Sequence, residues 1–244
     1  MKLRRNLAFA CVFLCASCVA SLAQEPAATP APSPAATPAP SATPAGGARK
    51  ANERPAEATA ARPEPFDGAS VEKMAGQCVT LETDMGDISI EFFPESAPES
   101  VRNFLNLSAT GMLDTTTFSR VVPDFVIQGG NLSTRQNITA DIARRSRRTI
   151  PDEPSEVKHV RGVVSMARPD EPNRATTNFF ILVSESSFLD GKFAAFGRVR
   201  DGMGVVDRIN REPVNGDKPV HPVRIKRAAV APCPEKPKQP GGRD

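Results

Sequence analysis

Neither tryptophan nor tyrosine occurs in the 244-residue chain, and only two histidines do, His159 and His221. With two histidines and no Gly-x-Ser-x-Gly turn, a serine hydrolase would lack its usual nucleophile setting. His221, between Val220 and Pro222, reads as a surface strand residue. The same shortage of ligands argues against a metal centre, so neither metal nor cofactor is expected. The one Cys-x-x-Cys, Cys15-Ala-Ser-Cys18, lies in the N-terminal apolar run, so no catalytic thiol pair of that spacing is expected in the rest of the chain. A net charge of +3 neither demands nor excludes an anionic partner. Aromatic character rests on 13 phenylalanines, which leaves the protein almost without absorbance at the usual protein wavelength.

What is present divides the chain. Residues 1–23 join a basic start, Met1-Lys-Leu-Arg-Arg5, to an apolar run from Leu7 that ends in Ser21-Leu-Ala23, the pattern of a cleavable secretory signal. The run is slightly short of the roughly 20 residues a spanning helix needs. Ala16-Ser17-Cys18 offers a second reading, a lipid anchor at Cys18 that would tether the protein to a membrane through its N-terminus. Residues 24–75 open with repeats of Ala, Pro, Thr and Ser, a composition that cannot bury a core and that favours an extended spacer. Residues 76–231 form one domain-sized unit, and 232–244 a second unstructured segment. An exported protein is expected, with the bacterial periplasm as its favoured site.

If the signal is cleaved, Cys11, Cys15 and Cys18 leave with it, and Cys78 and Cys233 remain at the two ends of the domain. They invite a disulfide if the first and last strands are neighbours; two unpaired thiols are the alternative.

Within the domain, Val79, Leu81 and Thr83 alternate with polar residues, Asp84-Met-Gly86 turns the chain, and Ile88, Ile90 and Phe92 resume the alternation, which predicts a hairpin. Ser96 and Glu99 read as a capping box before a helix that Gly111 ends. Further strands are expected at 118–127, 162–167, 178–183, 193–199 and 220–230, with a second helix at 203–210. Strands without long helical crossovers predict a mainly β fold, an antiparallel sheet or barrel rather than an α/β fold.

One strand carries an anomaly. In Phe118-Ser-Arg-Val-Val-Pro-Asp-Phe-Val-Ile-Gln-Gly-Gly130, alternation places Arg120 on the same face as Phe118 and Val122. A cation on an apolar face is costly unless paired, and is therefore often functional. Alternatively, Arg120 lies at a sheet edge with its head in water.

This segment, with Val79-Thr-Leu-Glu-Thr-Asp-Met-Gly-Asp-Ile-Ser-Ile-Glu-Phe92, Ala97-Pro-Glu-Ser-Val-Arg-Asn-Phe104, Gly162-Val-Val-Ser-Met-Ala167, Asn178-Phe-Phe-Ile181, Phe188-Leu-Asp-Gly-Lys192 and Phe196-Gly-Arg-Val199, resembles the cyclophilin family of peptidyl-prolyl isomerases in order and spacing. The resemblance implies a closed eight-stranded antiparallel barrel capped by two α-helices, with neighbouring terminal strands that would let Cys78 reach Cys233. It implies an isomerase acting on Xaa-Pro bonds of exported polypeptides, with Arg120 and Gln128 as catalytic residues. Phe125, Val126, Phe180 and Leu189 would wall a proline pocket, and Ala167 and Arg168 would lie on the strand that pairs with the residue before proline. Asn178, Phe188 and Phe193 stand at substrate-binding positions where the family carries Gln, Trp, and His or Tyr. The Phe188 replacement implies weak cyclosporin inhibition. The expected partners are proline-containing clients, not nucleic acid, and the expected state is a monomer. Arg144-Arg-Ser-Arg-Arg148, followed by Asp152 and Glu153, reads as a solvated loop. The rival function is a catalytically weak peptide-binding or chaperone module on the same fold, in which Asn178 and Phe193 mark a decayed site.

Overall fold

The computed structural model describes residues 63–235; the expected signal, most of the linker and residues 236–244 lie outside them. The described chain starts with a short helix, α1 (Val71–Ala75). The hairpin of β1 (Gln77–Thr83) and β2 (Gly86–Phe92) follows, then α2 (Pro98–Ala109). Next come β3 (Arg120–Val122), β4 (Val126–Gly129), α3 (Ala140–Arg145), β5 (Val163–Met166), β6 (Phe179–Leu182) and β7 (Ala195–Asp201). The fold ends with α4 (Met203–Asn210), a two-stranded ribbon of β8 (Val214–Asn215) and β9 (Lys218–Pro219), and β10 (Ile225–Pro232). His221 falls in the bend before β10, exposed, and not in a strand.

Eight strands form one antiparallel sheet in the order β10-β1-β2-β7-β5-β6-β4-β3. The sheet is open, which corrects the expected closed barrel. Its edge strands β3 and β10 share no ladder, and the gap is crossed by one bridge, Thr117 to Arg224, with Phe118 N–H donating to the Val223 carbonyl at 2.9 Å. The β8–β9 ribbon covers part of the open edge: Val121 N–H donates to the Asp217 carbonyl at 2.8 Å.

The apolar run at 118–127 is not one strand. Pro123 and Asp124 turn it, with Asp124 at φ 59°, so β3 and β4 form a hairpin in which Arg120 faces Gln128. Phe118 lies outside β3 and is fully buried with Val121, while Arg120 and Val122 are only partly buried, so Phe118 and Arg120 do not share a face. The glycines after Gln128 answer a packing demand. A Cβ on Gly129 would meet Phe118 and Phe179 at 3.1–3.3 Å, and one on Gly130, at φ 83°, would lie 2.2 Å from the Thr177 carbonyl oxygen.

Two expectations about polar groups are also corrected. The Ser96–Glu99 box does not cap α2: its N-cap is Ala97, which makes no side-chain bond. Glu153 caps it instead, accepting from Glu99 N–H at 2.8 Å and from Ser100 N–H and Oγ at 2.7 Å each. The arginine run is not wholly solvated either. Arg144 and Arg145 end α3, and Arg145 is buried with Nε 2.7 Å from Glu64 and Nη2 2.7 Å from Asn103.

The folded unit is wider than expected at both ends. Phe66 is buried against α2, with its N–H donating to Asn106 Oδ1 at 2.7 Å, so residues 63–75 belong to the domain and not to the spacer. Cys233 N–H donates to the Gly76 carbonyl and its side chain is bonded to Cys78, which places residues 232 and 233 in the fold as well.

Strand alternation makes two apolar layers. Phe179 and Ile181 of β6 enter the main core with Phe92, Phe104, Phe118 and Phe196. Phe180 and Leu182 point the other way, joining Val126, Val163, Leu189 and Ala195 in a smaller cluster. This double burial is why β6 reads as an unbroken apolar run.

Candidate active site

A cleft of about 210 Å³ opens over the smaller cluster. Val126 from β4, Phe180 from β6 and Leu189 from the turn before β7 form its buried floor. Phe125, held in the β3–β4 turn where its carbonyl accepts from Val183 N–H at 2.9 Å, forms one side. Phe193 forms another, its ring edge-on to Phe180 at 5.8 Å. Phe188 is 61% exposed and leans on Phe125 at 5.6 Å, which makes it the rim.

Arg120 and Gln128 supply the polar side, brought together by the β3–β4 register. Arg120 Nη1 lies 3.4 Å from Gln128 Oε1, a long contact, and Arg120 Nε donates to Asp217 Oδ2 at 2.9 Å. The Arg120 side chain is 41% exposed on an edge strand, as the edge reading of its position expects, and it lines the cleft.

Arg168 also lines the cleft, with its own side chain. Its guanidinium stacks over Phe193 at 5.2 Å, donates to the carbonyls of Pro169, Asp170 and Lys192, and lies 3.4 Å from Asp152. The residue is thus a wall as well as a stretch of backbone. Ala167 and Arg168 fall just past the end of β5, and Ala167 N–H already donates to the Asn178 carbonyl at 2.9 Å. Asn178 is not part of this cleft lining. It lines a second cavity of about 290 Å³ with Leu132, Ile138 and Ile142.

The model of the family described as cyclophilin type peptidyl-prolyl cis-trans isomerase/CLD matches residues 78–230. The chain belongs to this family. It is 38% identical over 159 residues to peptidyl-prolyl cis-trans isomerase cypE of Dictyostelium discoideum, covering 64% of this chain and 99% of that one. It is 35% identical over 167 residues to a peptidyl-prolyl cis-trans isomerase of Acinetobacter baylyi, covering 64% of this chain and 86% of that one. A crystal structure of a Cryptosporidium parvum cyclophilin-type isomerase aligns with TM-score 0.58 at 30% identity, over 65% of this chain and 99% of that one. That protein has also been crystallised in the presence of the dipeptide Ala-Pro.

Three residues of this cyclophilin domain form a line that sequence spacing did not reveal. Asp190 Oδ1 lies 3.1 Å from His159 Nδ1, and His159 Nε2 lies 3.0 Å from Ser165 Oγ. Burial pushes the His159 pKa below its ordinary 6.5, against the opposing pull of Asp190. The carboxyl of Asp190 is held below its ordinary 3.8, chiefly by the hydrogen bond from His159 N–H. The order Asp-His-Ser mimics a hydrolase, yet Ser165 and His159 are 0% and 1% exposed, where no substrate reaches. Its consequence is mechanical, since it ties the turn carrying Leu189, the cleft floor, to β5. Among the described residues, no group of three or more His, Cys, Asp or Glu is placed to hold a metal ion.

Proposed function

We propose that the cleft performs peptidyl-prolyl cis-trans isomerisation on proline-containing polypeptides that share the protein's compartment outside the cytoplasm. The observation that carries the mechanism is the Arg120 guanidinium set beside a slot floored by Val126, Phe180 and Leu189. Rotation about an Xaa-Pro bond faces a barrier of about 18–20 kcal/mol because it breaks amide resonance. The twisted amide carries a lone pair on the imide nitrogen, and no nucleophile or proton-transfer base is required. Phe125, Val126, Phe180 and Leu189 grip the ring, and Arg120 donates where charge develops, so the twisted form binds more tightly than either planar form. Arg suits this task because it stays charged and presents a rigid fork of donors. Gln128 orients that fork and meets the substrate backbone.

Phe193 and Arg168 act as one unit. The stacked guanidinium returns a polar edge to a wall whose ring has none. The N-terminal signal and the Ala/Pro-rich spacer support a periplasmic domain held away from a membrane or released into the compartment.

The test is cis/trans exchange of a short Xaa-Pro peptide, followed by NMR. Loss of one preorganised donor costs about 2.7–4 kcal/mol of transition-state stabilisation. Arg120→Ala is expected to lose most turnover and keep its fold. Wild-type rates in that variant would refute the assignment.

A further inference from the structure

Arg120 is gripped from two sides, and one grip comes from a residue 97 positions away in sequence, the carboxylate of Asp217. We propose that Asp217 is a positioning residue for Arg120: it fixes the guanidinium through Nε and leaves the Nη atoms to face the cleft. The proposal deepens the isomerase reading and rests on it.

Asp217 sits in the tight turn Gly216-Asp217 between β8 and β9, where Gly216 takes φ 65°. Its backbone is fixed to the same strand as Arg120, because its carbonyl accepts from Val121 N–H at 2.8 Å. Its side chain then accepts from Arg120 Nε at 2.9 Å. One residue therefore binds β3 twice, through main chain and side chain. An exposed ion pair contributes little to stability, and these side chains are 41% and 52% exposed. The effect of this pair is directional. The other grip, Gln128 Oε1 at 3.4 Å from Nη1, is too long to hold the fork alone. All five N–H bonds lie in the guanidinium plane, so a bond held at Nε, next to the stem, fixes that plane while leaving the four Nη N–H bonds available to the cleft. A displacement of about 1 Å in a catalytic group can cost on the order of 100-fold in rate.

The experiment compares the full chain with Asp217→Ala, Asp217→Asn and Arg120→Ala, measuring kcat and KM separately by peptide exchange. Asp217→Ala is expected to lower kcat about tenfold or more with KM within about twofold. Asp217→Asn is expected to restore most of kcat, because its amide oxygen still accepts from Nε. The Arg120 Nε–H resonance should broaden or shift in Asp217→Ala and return in Asp217→Asn, with the Val121 amide still protected in both. Wild-type kcat in Asp217→Ala would overturn the proposal, as would equal loss in the two Asp217 variants. Wild-type kcat in Arg120→Ala would instead overturn the isomerase reading.

Discussion

Removing the Glu153 carboxylate should unseat the start of α2, although Glu153 lies more than fifty residues beyond it. Its two oxygens accept from Glu99 N–H, Ser100 N–H and Ser100 Oγ, all within 2.8 Å, and Ser100 is fully buried. Glu153→Ala leaves those donors without a partner and also removes a negative charge from the positive end of the helix. A lost N-cap costs about 0.5–2 kcal/mol and a hydrogen bond to a charged group about 1.5–3 kcal/mol; the two overlap here, so a total of about 2–4 kcal/mol is expected. For a domain of this size that is a fall in Tm of about 4–16 °C. Glu153→Gln should fall between, because it keeps one acceptor oxygen and turns an NH₂ toward a donor. Ser96→Ala, which removes half of the capping box read from sequence, should stay within about 0.5 kcal/mol of wild type. Thermal unfolding followed by far-ultraviolet circular dichroism suits a chain with no Trp or Tyr fluorescence. A Glu153→Ala Tm within about 2 °C of wild type, or a larger loss in Ser96→Ala, would refute the reasoning.

Two further perturbations follow from the same structure. His159 has its pKa lowered in the fold, so it contributes nothing above its ordinary 6.5; below that the unfolded chain takes the proton first, and stability should fall by up to about 1.4 kcal/mol per pH unit until the folded histidine also titrates. Asp190, also lowered, acts in a separate window: its contribution is present above its ordinary 3.8 and is lost as pH falls through the folded value. Urea midpoints across the range just below 6.5 should decline in the wild type and flatten in His159→Gln, and a flat wild-type profile would contradict the burial argument. Breaking the Cys78–Cys233 bond releases a 155-residue loop, which should cost about 2–5 kcal/mol, while peptide exchange is unchanged because no cleft-lining residue lies on β1 or β10. A reduced or Cys78→Ser/Cys233→Ser protein that melts with the wild type would contradict the first part, and one that folds but loses activity the second.

How much of this was legible depended on how far apart in sequence the deciding contacts lie. The β1–β2 hairpin and α4 were readable because alternation, turn residues and helical spacing are local signals. The split of 118–127 was misread because the apolar run continues through Pro123 and Asp124, and alternation counted across a turn puts Phe118 and Arg120 on one face. The Ser96–Glu99 box has the right local spacing for a cap, yet Glu153 bonds the helix start instead. Phe66 and Arg145 sit in stretches whose composition reads as spacer and solvated loop, and only contact with α2 and Glu64 shows them buried.

By itself the sequence determined that the chain carries a β-rich domain with Arg120, Gln128 and a set of phenylalanines at isomerase spacing, since those identities and their order are one-dimensional facts. Tertiary structure alone decided that the sheet stays open and that Arg168 rather than Asn178 walls the cleft. It also set Asp217, from a turn near the end of the domain, against Arg120. These are long-range arrangements, and a residue's chemistry does not say which distant segment the register of the sheet will bring beside it.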